Sequence, residues 1–257
     1  MSNLFWIRST NFGDALNPLL HKAITGHEPN WSEPSKVLGT ILAIGSLSHC
    51  AYPGNILWGT GVMAEDLPPE HCDKTTIARA VRGPLTAYLL RKYGVDISNA
   101  IFADPAILLP RFYSYPRPHN VEEKSLVVPH YTDVGLAVKY DWGPDWEVLS
   151  PMKDAEFLLQ KISNAATVVT SSLHILIVAE AYNVPAVWVE FSDSVHGGGF
   201  KFIDYYLSTV RNWPEPVQIR DTKIPWNAIF NRVYDWQGPG VDFQELGDLL
   251  LEVCPFS

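Results

Sequence analysis

Cysteine is scarce in this chain of 257 residues. Cys50, Cys72 and Cys254 are an odd number without C-x-x-C spacing, which argues against a disulfide framework and offers no zinc-site pattern. Long apolar runs are also missing. No window reaches the roughly 18 apolar residues of a membrane-spanning helix, and the opening MSNLFWIRSTNFGD lacks a basic stretch followed by an apolar signal core. A cytoplasmic protein is expected, with any membrane association peripheral and at the inner face. Positive charge is thin as well: 19 Lys and Arg against 28 Asp and Glu leave a formal charge of -9 with no dense basic run. A nucleic-acid partner, whose affinity would rest on neutralised phosphates, is therefore not expected. There is no short-period repeat, no low-complexity tract and no carboxylate cluster of the kind that holds a hard metal ion.

What is present suits an ordered globular protein, since 47% of residues are apolar and 18% charged. Nine Trp and eleven Tyr supply ring faces that either fill cores or carry sugars. Short apolar runs alternate with amphipathic helical patterns, as in βαβ units with a parallel sheet. Strands are predicted at 4–8, 40–44, 55–58, 76–81 and 99–102, and helices at 15–24 and 84–93. The segment 111–123, with Pro116, Pro118 and Asn120, breaks this rhythm as a linker would. It restarts with strands at 125–129, 147–149, 167–170 and 185–189 and helices at 154–164, 174–182, 202–211 and 243–253, leaving 212–240 as a Trp- and Pro-rich connection. The expected fold class is α/β, with two Rossmann-like halves, 1–115 and 120–257, flanking a central cleft. A single doubly wound sheet would need the linker as a long structureless loop, which compact domains rarely contain.

Candidate functional residues fall at strand ends, where open α/β sheets bind ligands. Asn11, Gly13 and Asp14 sit between the first strand and a helix, either as a capped turn or as a close approach to an anion or hydroxyl. Gly59, Thr60 and Gly61 follow the strand NILW without completing G-x-G-x-x-G, so no dinucleotide fingerprint is formed. Arg82 ends a strand before Pro84 and could grip a phosphate or carboxylate through paired hydrogen bonds. Asp104 either caps the turn after its strand or accepts a hydrogen bond from a sugar hydroxyl or Arg82. His130, just past the first strand of the second half, could bind phosphate or move a proton. Ser171 and Ser172 lead into a helix beginning near His174, which suits an acid or base working beside a bound anion. Lys201 and Asp204 follow the triple glycine 197–199, where a mobile lysine could meet a phosphate.

Taken in order, NFGD, WGTG, VRGPLTA, ADPAILLP, VPH, the S-L-H block ending in V-P, and FKFIDYY resemble the polysaccharide pyruvyl transferase family from Asn11 to Tyr206. The resemblance implies a fold similar to GT-B glycosyltransferases and transfer of a pyruvate unit from phosphoenolpyruvate to two hydroxyls of one sugar. The acceptor would be a cell-surface glycan or its lipid-linked oligosaccharide precursor, and no cofactor is implied beyond phosphoenolpyruvate as donor. Matching motifs assign catalytic roles to Arg82, His174 and Lys201, with Arg82 on the acceptor side and the other two on the donor side. Many members carry arginine two positions before the histidine, where this chain has Ser172. The same architecture would also house a GT-B glycosyltransferase using a nucleotide sugar, or a non-catalytic carbohydrate-binding subunit. Acceptor choice is expected to rest on the loops around Asn11, Trp58 and 212–240.

Overall fold

Two separate parallel sheets organise the chain, as shown by a computed structural model that describes residues 2–116, 123–221 and 223–256. In the first half, β1 (Asn3–Phe5), α1 (Phe12–Thr25), β2 (Asn30–Trp31), β3 (Ile41–Leu42), β4 (Ile56–Trp58), β5 (Ile77–Val81), α2 (Pro84–Lys92) and β6 (Ile101–Phe102) form a sheet of order β2-β1-β3-β4-β5-β6. A short α3 (Leu109–Phe112) leads out of it; Pro118 and Asn120 of the expected linker lie outside the described residues. The second half contains β7 (Ser125–Val127), α4 (Val134–Ala137), β8 (Trp146–Val148), α5 (Ala155–Ser163), β9 (Val168–Thr170), α6 (Leu173–Ala181), β10 (Ala186–Glu190), α7 (Phe200–Ser208) and β11 (Val217–Gln218), followed by α8 (Trp226–Tyr234) and α9 (Phe243–Glu252). Its sheet has the order β11-β10-β9-β7-β8. The α/β class with two Rossmann-like halves is thus observed, in a layout consistent with GT-B.

Local sequence explains most boundaries. Pro84 occupies the first turn of α2, where its missing N–H costs nothing. Asp154 and Asp242 cap α5 and α9 by accepting from the backbone N–H groups of Phe157 (2.9 Å) and Gln244 (2.7 Å). Gly26 takes the left-handed conformation that closes α1. Helix α1 starts at Phe12 with Asn11 as its N-cap, a few residues before the expected start.

Two pieces of the 212–240 segment are ordered elements rather than connection. Strand β11 is only two residues long and has no periodicity to read. Helix α8 follows Pro225 with apolar residues at 226, 229, 230 and 233, a genuine helical stripe obscured by the surrounding prolines.

Helix α6 is apolar all round and nearly every side chain on it is buried, as befits a helix enclosed on all sides. One continuous core joins Leu4, Trp58 and Leu108 of the first half to Leu126, Leu176 and Trp188 of the second. The last helix returns to the first half: the indole N–H of Trp58 donates to the carbonyl of Leu250 (3.1 Å), and Arg111 pairs with Asp248 (2.6 Å). Trp58 is fully buried, so its ring serves the core and offers no sugar platform.

Candidate active site

Strand order reverses between β1 and β3 in the first sheet and between β7 and β9 in the second. At such points successive crossovers leave in opposite directions and open a crevice beyond the carboxyl ends of the strands. The two crevices face each other across one cleft of about 470 Å³. Asn11 and Asp14 line it after β1, Gly45 and Ser46 after β3, His130 after β7, and Ser172 and His174 after β9, while the first turn of α7 contributes Lys201.

His174 stands on the first turn of α6 with 13% of its side chain exposed. Its Nε2 lies 3.5 Å from Oδ2 of the fully buried Asp104, whose Oδ1 accepts from the backbone N–H of Ala106 (3.0 Å). Asp104 therefore caps its turn and also faces the histidine; it does not meet Arg82. Gly13 makes the approach possible, because a β-carbon there would come within 2.4 Å of Nδ1 of His174. Ser172 is the N-cap of α6, but its hydroxyl makes no capping bond, leaving the first amides of the helix available to an anion.

Lys201 has neither a hydrogen-bond nor an ion-pair partner among the described residues. Burial and the nearby Arg82 charge press its pKa down to about 8, against a weaker opposing pull from Asp133. The His130 imidazole is held at about 4, chiefly by burial and secondly by the charge of Lys201. Such an environment resists further positive charge and favours an anion. Among the described residues no group of three or more His, Cys, Asp or Glu converges as metal ligands would.

Arg82 is not on the cleft wall. Fully buried, it donates from Nε to Asp204 (3.1 Å), from Nη1 to the Ser46 hydroxyl (2.7 Å) and from Nη2 to the Val62 carbonyl. Asp204, also fully buried, accepts from the backbone N–H groups of Leu85 (2.9 Å) and Thr86 (3.0 Å) and from the Thr86 hydroxyl (2.6 Å). The guanidinium turns inward because a carboxylate of the second half awaits it and Gly61 leaves room: a β-carbon at Gly61 would stand 2.2 Å from its Cζ. Gly59 likewise abuts Pro105, at 2.0 Å from a β-carbon built there, so both glycines admit close protein neighbours. Thr60 donates to the Gly45 carbonyl (2.9 Å) and accepts from the N–H of Leu47 (3.0 Å), fixing the loop that presents Ser46. Ser171 donates to Asp133 (2.8 Å) and accepts from the N–H of His130 (2.9 Å), which fixes the His130 loop from behind.

Sequence reasoning passed over Ser46 and Asp133. Gly45–Ser46 directly after an apolar strand was a readable signal, of the same kind as Asn11 to Gly13. Asp133, buried and held by Ser171 and by Ser192 (2.6 Å), carried none. Beside the cleft, and sharing His196 with it, a larger cavity of about 810 Å³ opens under the glycine turn. Glu65, Asp66, Glu215 and the 44%-exposed ring of Trp213 line it.

The chain is 29% identical to the succinoglycan biosynthesis protein ExoV of Rhizobium meliloti (strain 1021), over 91% of its own length and 71% of that protein. It is 28% identical to the uncharacterized protein L143 of Acanthamoeba polyphaga mimivirus over 63% of its length, a match spanning 57% of the viral protein. No solved structure matches significantly. The sequence model of the family described as polysaccharide pyruvyl transferase matches residues 51–193, more than half of the chain, and the chain belongs to that family.

Proposed function

We propose that the protein transfers a pyruvate unit from phosphoenolpyruvate to two hydroxyls of one sugar in a cell-surface glycan or its lipid-linked precursor, closing a cyclic ketal. The observation that carries this reading is Lys201: a half-buried cation with no hydrogen-bond or ion-pair partner among the described residues, in a cleft that also holds His174 and the open amides of α6. A donor with both a carboxylate and a phosphate supplies the missing negative charge. The Rhizobium relative is a succinoglycan biosynthesis protein, which favours an exopolysaccharide acceptor.

The reaction balances without a redox partner. Protonation of the donor's methylene carbon makes C2 electrophilic, a first sugar hydroxyl adds, phosphate departs, and the second hydroxyl closes the ketal. Of the two hydroxyl protons, one makes good the proton given to the new methyl group and the other leaves on phosphate. His174 is assigned as the proton-transfer group, and Lys201 stabilises charge on the departing phosphate. Arg82 is assigned to the reaction indirectly, through its hydrogen bond to Ser46 at the cleft wall. The acceptor is assigned to the adjoining cavity, where carboxylates accept from hydroxyls and Trp213 presents a ring face.

Incubation with phosphoenolpyruvate and a panel of galactosides, glucosides and mannosides is expected to release phosphate and form an acid-labile ketal. His174→Ala should lower turnover by about 100-fold or more. Calorimetry that detects a nucleoside diphosphate but not phosphoenolpyruvate would instead identify a nucleotide-sugar glycosyltransferase and overturn the proposal.

A further inference from the structure

Two buried polar atoms at the cleft floor lack hydrogen-bond partners, and they face each other: Oδ2 of Asp104 and Nε2 of His174, 3.5 Å apart. They come from different halves of the chain, Asp104 from the end of β6 and His174 from the start of α6. A buried carboxylate oxygen without a donor is strongly unfavourable, so the facing nitrogen must carry a proton. Bonds of this kind are often long in the empty enzyme and tighten when substrate binds. The other nitrogen, Nδ1, lies against Gly13, the one residue type without a side chain to cover it.

We propose that Asp104 is a positioning residue: it accepts the Nε2–H of His174 and thereby reserves Nδ1 for the proton that moves in the reaction. This rests on the reading of His174 as the proton-transfer group. Protonated His174 gives its Nδ1 proton to the methylene carbon of phosphoenolpyruvate, forming the new C–H bond. The neutral ring that remains keeps Nε2–H on Asp104 and regains a proton at Nδ1 from a sugar hydroxyl as its oxygen bonds to C2. The carboxylate is not consumed and never leaves the imidazole. Gly13 belongs to the same device, because a β-carbon there would force the ring to move relative to Asp104.

The test combines nitrogen NMR of the imidazole in ¹⁵N-histidine-labelled protein with steady-state kinetics. Neutral His174 should carry its proton on Nε2, and Asp104→Asn should shift the population toward Nδ1–H. Asparagine can still accept from the N–H of Ala106, so the turn after β6 keeps its cap. In this variant kcat per folded enzyme is expected to fall about 100-fold while KM for phosphoenolpyruvate stays within about threefold; a mere loss of folded protein, which also lowers apparent kcat at constant KM, would leave the tautomer of the remaining folded protein unchanged. Gly13→Ala, which leaves Asp104 intact but forces the ring to move, should give the same kinetic split per folded enzyme, with a lower melting temperature because Oδ2 of Asp104 loses its donor. Nδ1–H as the dominant form in the unmodified protein, or a wild-type kcat in Asp104→Asn, would overturn the assignment of Asp104 while leaving His174 its role. Full turnover by His174→Ala would overturn that role and this inference with it.

Discussion

At the scale of single residues, Lys201 sets how the cleft should respond to pH. Its pKa of about 8 means that the ammonium is present at neutral pH and is lost as pH rises through that value. Affinity for an anionic donor should follow the charge, so KM for phosphoenolpyruvate is expected to rise about tenfold between pH 7 and pH 9. Lys201→Arg keeps its charge throughout and should abolish this rise, whereas Lys201→Met should start from a high KM at pH 7. A KM independent of pH in the unmodified protein would remove Lys201 from the donor site. Ser172 sharpens the point, because no arginine stands there to share the load and Lys201 is the one lysine or arginine among the described residues lining the cleft.

At the scale of elements, the join between α2 and α7 governs the geometry of the cleft. Asp204 on α7 caps the N-terminus of α2 and pairs with the fully buried Arg82 at the end of β5, in a network that spans the two halves. Removing one member of a buried ion pair leaves the other charge stranded. Asp204→Asn is therefore expected to lower stability by about 3 kcal/mol, measured by urea unfolding. Gly83→Ala should act similarly with no change of charge, because a β-carbon at Gly83 would stand 2.0 Å from the backbone oxygen of Asp204. An unaltered midpoint in both variants would show that the join is dispensable. The motifs VRGPLTA and FKFIDYY are each legible in sequence, but their meeting is not: residues 82 and 204 are brought together only by the packing of the halves.

At the scale of the whole molecule, the two sheets share one core and α9 straps the end of the chain back onto the first half. The halves should therefore unfold together, with coincident transitions in near- and far-ultraviolet circular dichroism. Leu250→Ala, at a fully buried position on α9, is expected to cost about 3 kcal/mol and to shift both signals alike. Separate transitions would show that the halves fold independently.

The sequence by itself determined the α/β class, most of the strands and the longer helices of both halves other than α8, and the strand ends at which polar residues gather. These follow from local patterns: apolar runs, helical periodicity, and Gly, Pro and Asp at boundaries. Only the tertiary structure decided which of those residues meet. It turned Arg82 inward to Asp204, set Asp104 against His174 in place of Arg82, and left Lys201 alone in the cleft. Hydrogen-bond partners so far apart in sequence are chosen by burial, because a charge taken out of water must find whichever donor or acceptor the fold brings within reach.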